Sequence, residues 1–187
     1  MNDLGTVRLE TERLILRKGT SVDTKELFEN CSSDDKITRY VVWNTHKTLD
    51  QTIEFLNKWQ DSYDEEHSYK WLVTLKESRE IIGTITVVSR SLIHKTCEIG
   101  YAYGSKYWNK GYATEALKEV IRFLCKDVGF ETVYAYYLKD NEASGRIMIK
   151  AGMKYEGTAR SRMIDKISGE RLDLVQYSIL KEEVISA

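Results

Sequence analysis

Tyr107 to Leu124 reads YWNKGYATEALKEVIRFL, a glycine-bearing turn that runs straight into an amphipathic helix. From Ala113 the apolar residues Ala113, Ala116, Leu117, Val120, Ile121 and Leu124 keep the i, i+3, i+4, i+7 spacing of one buried helix face. The first turn of such a helix leaves about four backbone N–H groups without intrahelical partners. The residues before it offer only Asn109 as a capping side chain, and it stands too early. Those donors, together with the positive end of the helix dipole, suit an anion, and Gly111 lets a ligand approach the backbone with no Cβ in the way. Water on an exposed helix end is the bland alternative. Just upstream, CEIGYAYG alternates so that Glu98, Gly100, Ala102 and Gly104 share a face that is bare except for one carboxylate. A bare face leaves room for a ligand or for a closely packed helix.

The elements that must position this turn follow from periodicity. RLILRK (from Arg13) reads as a strand, SVDTKELFENCS (from Ser21) as a helix, and DDKITRY as a second short helix. TLDQTIEFLNKWQDSYDEE (from Thr48) is a longer helix, with Thr48 and Gln51 spaced as a capping box. YKWLVTLK and EIIGTITVVSR are strands joined by the polar turn ESRE, and TCEIGYAYG is the next strand. FETVYAYYL reads as a buried strand, and NEASGRIMIKAG as a helix with Asn141 at its start and Gly152 just past its end. MKYEGTARSRMI and ERLDLVQYSIL close the chain as a hairpin. The expected fold is α/β (α+β), one domain over residues 1–187: a mixed, mostly antiparallel sheet of six or seven strands with helices on both faces. CEIGYAYG, the helix after it and VYAYYL form a β-α-β crossover, so those two strands should be parallel and adjacent, with the turn at the carboxyl end of the first. Ligands bind at such ends.

Composition narrows the function classes. At 187 residues the chain can bury a core without metal or disulfide support. A net charge of -1 across 30% charged residues gives no electrostatic footprint for nucleic acid or an anionic membrane, so any phosphate site must be local. No apolar run approaches the length of a membrane span. Three cysteines without a CxxC pair favour a reducing, cytoplasmic setting. His46, His67 and His94 have no metal-ligand spacing, and no metal is expected. Gly100 and Gly104 do not make a nucleotide P-loop, because they enclose three residues rather than four and are followed by Ser105 rather than Lys.

EIGYAYGSKYWNKGYATEA, followed by NEASGRIMIKAGMKYEG, resembles the acetyl-CoA-binding core of the GNAT acyltransferase superfamily, in its ribosomal-protein N-terminal acetyltransferase (Rim-type) branch. The resemblance runs from LETERLILRK through the final strand. In that superfamily the turn follows [QR]xxGx[GA] and its N–H groups hold the coenzyme A pyrophosphate. Gly111 and Ala113 match the last two positions, while Trp108 replaces the Gln or Arg. The resemblance therefore implies a coenzyme cradle of Trp108, Asn109, Lys110, Gly111, Tyr112, Ala113 and Thr114. It also implies a pantetheine arm along the backbone of Tyr101, Ala102 and Tyr103, with Asn141 hydrogen-bonding that arm.

The implied reaction is direct attack of an amine on the thioester of acetyl-CoA, which calls for a base, oxyanion donors and an acid for the thiolate. The tyrosine that many members use as acid falls at Met148, which cannot serve; the branch places a serine where Ser144 stands. Glu98, the one acid on its strand, is the base candidate, its alternative being an ion pair with a cross-strand Lys or Arg. Acceptors within the resemblance include ribosomal-protein N-termini, polyamines and aminoglycosides, read by the helical region that carries Arg39, Tyr40, Trp43 and Trp59. A non-catalytic acyl-CoA-binding module is the rival class.

Overall fold

The computed structural model describes residues 1–185. Eight strands form one sheet: β1 (Leu9–Glu10), β2 (Leu14–Arg17), β3 (Lys70–Leu75), β4 (Ile81–Ser91), β5 (Thr96–Tyr103), β6 (Thr132–Leu138), β7 (Lys154–Ile164) and β8 (Arg171–Leu180), in the order β1-β2-β3-β4-β5-β6-β8-β7. Six or seven strands were expected; the eighth is β1, a two-residue pairing of Leu9 and Glu10 with Leu16 and Ile15, too short to show a period. Every ladder is antiparallel except β5 with β6, as the crossover rule requires.

The helices divide between the two faces. On one lie α1 (Thr24–Leu27), α2 (Asp35–Thr38) and α3 (Leu49–Asp61), where Leu27, Leu56 and Trp59 pack with Leu72, Ile81 and Ala102. On the other lie α4 (Tyr112–Arg122) and α5 (Glu142–Lys150), and the α4 residues Ala116, Leu117, Val120 and Ile121 pack against Val73, Ile85, Cys97 and Ile99. A short α6 (Lys181–Ile185) follows β8. The α3 start is built as its sequence implies: Gln51 Oε1 accepts from the N–H groups of Lys47 (2.6 Å) and Thr48 (3.3 Å). Gly152 ends α5 at φ +93°, a left-handed conformation that suits glycine. Among the described residues no helix is long and apolar enough to cross a membrane.

The sheet opens in its middle. β5 pairs with β6 only from Thr96 to Glu98, opposite Thr132 to Tyr134, and the two strands then diverge. Beyond Glu98, β5 stays paired to β4 alone, so its other edge is free from Ile99 to Tyr103.

Candidate active site

The turn into α4 is uncapped by any side chain. Gly111 occupies the N-cap position at φ +81°, and Asn109 is also left-handed at φ +60°. The backbone N–H groups of Tyr112, Ala113 and Thr114 find no acceptor among the described residues. Two contacts hold this loop in shape. The Trp108 indole N–H donates to the Tyr103 carbonyl (2.7 Å), so its side chain braces the turn while its ring stays exposed. Glu115, in the first turn of α4, accepts from the Thr11 hydroxyl (2.5 Å), the Arg13 backbone N–H (2.8 Å) and the Arg13 guanidinium (2.7 Å). Arg13 also donates to the Lys110 carbonyl (3.0 Å) and lies over the Tyr112 ring. Burial works to raise the Glu115 pKa, but these hydrogen bonds outweigh it and hold the carboxyl below its ordinary value.

Arg13 and Glu115 were not among the residues the sequence singled out. They stand 102 positions apart, and no local pattern announces such a pair.

The free edge of β5 sorts the three arm residues. Gly104 N–H donates to the Ile82 carbonyl on β4, and main-chain groups alternate sides along a strand. Tyr101 therefore presents its N–H and C=O groups to the opening and Tyr103 its N–H, the Tyr103 carbonyl being taken by the Trp108 indole, whereas Ala102 is committed to β4. The expectation that all three serve an arm through the backbone narrows to two.

At the opening's far wall stands α5. Asn141 sits at its N-cap position, yet its side chain makes no capping bond. Ser144 is buried, and its Oγ lies 2.8 Å from the Tyr101 hydroxyl, which also donates to the Ser144 carbonyl (3.1 Å). Either hydroxyl can donate in the 2.8 Å contact; with Tyr101 donating to Ser144 Oγ the serine proton is left free, and the two side chains form a bridge across the gap. Burial pushes the Tyr101 pKa up, so its phenol stays protonated. Met148 is core, buried beneath α5.

Glu98 lies at the apex of the opening, the last β5 residue paired with β6. Its Oε2 accepts from Ser89 Oγ (3.0 Å), and Ser89 Oγ is 3.4 Å from the Tyr134 hydroxyl. Among the described residues no Lys or Arg pairs with it at ion-pair distance. The bare face is not empty throughout: a β4 bulge between Val87 and Ser89 lays Val88 over Gly100, where an added Cβ would fall 2.8 Å from Val88 Cγ2. At Gly104 an added Cβ would meet the Asn30 carbonyl at 2.1 Å, so that glycine serves helix packing.

On the α1–α3 face, a small cleft is lined by Leu27, Cys31, Ser32, Trp43, His46, Phe55, Thr84 and Ala102. Ala102 lies between Tyr101 and Tyr103, so the cleft adjoins the open edge. Of the four residues expected to read an acceptor, Trp43 lines this cleft, Trp59 is core, and Arg39 lies over the Tyr40 ring 5.6 Å from its centroid. The turn between β7 and β8 closes on it: Lys166 Nζ donates to the carbonyls of Val41 (3.0 Å) and Trp43.

A splayed β-α-β unit with an uncapped, glycine-led helix start defines an acyl-coenzyme A-binding transferase. Residues 13–154 match the acetyltransferase (GNAT) domain, and the chain belongs to that family. It is 33% identical over 173 residues to the uncharacterized N-acetyltransferase YoaA of Bacillus subtilis, covering 92% of this chain and 96% of that one. It is 28% identical over 192 residues to the [ribosomal protein uS5]-alanine N-acetyltransferase of Escherichia coli, covering 90% and 88%. The crystal structure of a GNAT-family acetyltransferase from Bacillus anthracis superposes with a TM-score of 0.82 at 28% identity, covering 94% and 99%. The protein is an acetyl-CoA-dependent N-acetyltransferase. The coenzyme supplies an acetyl group activated as a thioester. Among the described residues the N–H groups after Gly111 and the Asn141 side-chain amide are without hydrogen-bond partners, and the β5 edge at Tyr101 is unpaired.

Proposed function

We propose that the acceptor is the N-terminal α-amine of a protein, such as a ribosomal protein, rather than a polyamine or an aminoglycoside. The observation that carries this is the lining of the cleft beside the open β5 edge: no carboxylate contributes to it. A polycation held there would bury several charges without partners. A single α-amine bearing a small or apolar side chain asks only for apolar walls. Val42 and Ile167 are exposed beside the Lys166 latch, and exposed apolar side chains at a cleft rim suit a protein surface.

In this reading Glu98 takes a proton from the attacking nitrogen, directly or through water, and Ser144, backed by Tyr101, gives one to the leaving sulfur. An α-amine with a pKa of about 8 asks less of such a base than a lysine at about 10.4. The test is thiol release from acetyl-CoA with N-terminal peptides, spermidine and an aminoglycoside side by side. Peptides should be acetylated with kcat/KM at least tenfold above the polycations. A polycation preferred over every peptide overturns the acceptor assignment, and no release with any amine leaves a binding module.

A further inference from the structure

His46 has no role in the chemistry above, yet its surroundings are built. Its Nδ1 lies 2.8 Å from Thr52 Oγ1, Thr52 Oγ1 lies 2.9 Å from Ser32 Oγ, and Ser32 Oγ reaches the Leu27 carbonyl at 3.4 Å. Thr52 and Ser32 are both buried. Two directions are open to this chain, and the one that makes all three bonds ends on the Leu27 carbonyl, which only accepts; the reverse direction forgoes that bond. Ser32 donates to Leu27, Thr52 donates to Ser32, and His46 must then donate Nδ1–H to Thr52. That fixes the neutral tautomer whose lone pair is on Nε2, a nitrogen with no partner among the described residues. The ring is held besides by its own backbone N–H, which donates to the Ser32 carbonyl (2.9 Å), and by the flanking rings of Trp43 (5.6 Å) and Phe55 (5.9 Å).

We infer that His46 Nε2 is a proton acceptor for the incoming amine, a second base beside Glu98. The inference rests on the amine-acceptor reading of the cleft that His46 lines. The stoichiometry has a place for it. An ammonium carries three protons and the amide product keeps one, so two must leave the nitrogen, while the departing sulfur gains one. His46 takes the first as the ammonium enters the cleft, which frees the lone pair that forms the C–N bond. The second passes to Glu98, directly or through water, as the C–S bond breaks and Ser144 protonates the sulfur; Glu98 returns that proton to Ser144 through water, and the imidazolium gives its own to water, so one proton is released overall.

Charge around the ring agrees with this. Burial holds the His46 pKa below the usual imidazole value, so the ring is neutral and able to accept at pH 7. The other titratable group in the lining, Cys31, is buried and pushed up to about 12, so it stays a thiol. Asp35 and Lys47 pair with each other at 3.1 Å on the surface, and Lys166 is engaged with the Val41 and Trp43 carbonyls.

Two measurements test the proposal. In the coenzyme-free protein, long-range ¹H–¹⁵N NMR of the imidazole should show Nδ1 protonated and Nε2 bare at pH 7, and Thr52→Val should abolish that preference. This readout needs no acceptor, so it stands even if the peptide assignment fails. Second, the pH profile of kcat/KM is measured for His46→Gln with whichever amine the thiol-release panel shows to be acetylated. The variant should lose at least tenfold at pH 7 and recover above about pH 8, where an α-amine sheds its proton unaided. Coenzyme affinity should not change. An Nε2–H tautomer, or a variant with the wild-type pH profile, overturns the proposal.

Discussion

Gly111→Val probes the cradle where backbone conformation and ligand approach meet. At φ +81° the wild-type turn is left-handed, which costs an L-residue about 1–2 kcal/mol and a β-branched one more. An added Cβ would also lie 3.3 Å from Arg13 Nη2, close enough to press on the guanidinium that bonds Glu115 and the Lys110 carbonyl. The free variant escapes the strain by leaving the left-handed region, and this rotates the N–H groups of Tyr112 and Ala113 out of convergence. Binding must then restore the strained turn, so coenzyme affinity should fall by that 1–2 kcal/mol, a factor of about 5–30. Titration calorimetry with coenzyme A measures it, with a thermal melt to show that the variant is folded. Gly111→Asn is the control: asparagine tolerates the left-handed region, so it keeps the Cβ and removes much of the backbone penalty. Asparagine should therefore lie between glycine and valine. A folded valine variant with unchanged affinity refutes the cradle.

Ser144→Ala should lower kcat modestly and leave coenzyme affinity intact, because the thiolate develops only as the bond breaks. Single-turnover rates equal to wild type would make Ser144 a strut for Tyr101. Glu98→Gln keeps the Ser89 contact in shape and removes the charge; kcat/KM at neutral pH should drop about 10²-fold. A variant that keeps the wild-type rate and loses only thermal stability reassigns Glu98 to structure. Glu115 predicts a pH effect on stability. Its folded pKa lies below the unfolded one, so the native state binds fewer protons; its contribution is fully present above about pH 4.3 and fades as pH falls through the lower folded value. Urea midpoints for Glu115→Gln should miss that part of the acid loss, and parallel curves for variant and wild type would show that the clamp contributes nothing.

The helices were legible where a local rule decides them. The α4 stripe, the Thr48 and Gln51 spacing and Gly152 each follow from residues within a turn or two, and each stands as read. The uncapped start of α4 was legible for the same reason. What escaped the sequence lies in pairings across the sheet. Tyr101 meets Ser144 43 positions away, Arg13 meets Glu115 102 away, and Lys166 reaches Val41 125 away. Alternation correctly put Glu98, Gly100 and Ala102 on one face, but it carries no sign of a bulge, and so could not show Val88 lying over Gly100. His46 looked like a packed or solvated histidine because Ser32 and Thr52, which orient it, sit on two different helical segments.

An opening in the middle of a sheet needs a physical cause, because unpaired N–H and C=O groups on β5 favour closure onto β6. Three features oppose it. The β4 bulge shifts register opposite the apex, and Val88 wedges against Gly100 there. Gly145 lets α5 sit tightly on β6, where an added Cβ would come within 2.7 Å of the Tyr137 ring, so α5 moves with β6. The Tyr101 and Ser144 hydroxyls then set the distance between β5 and that unit, as a spacer rather than a ladder. The gap is thus spanned by a side-chain contact, and the main-chain groups of Tyr101 and the Tyr103 N–H are left unpaired by the sheet. The same contact lets the Tyr101 phenol donate to Ser144 Oγ, so the residue proposed to protonate the sulfur is also one that spaces the gap.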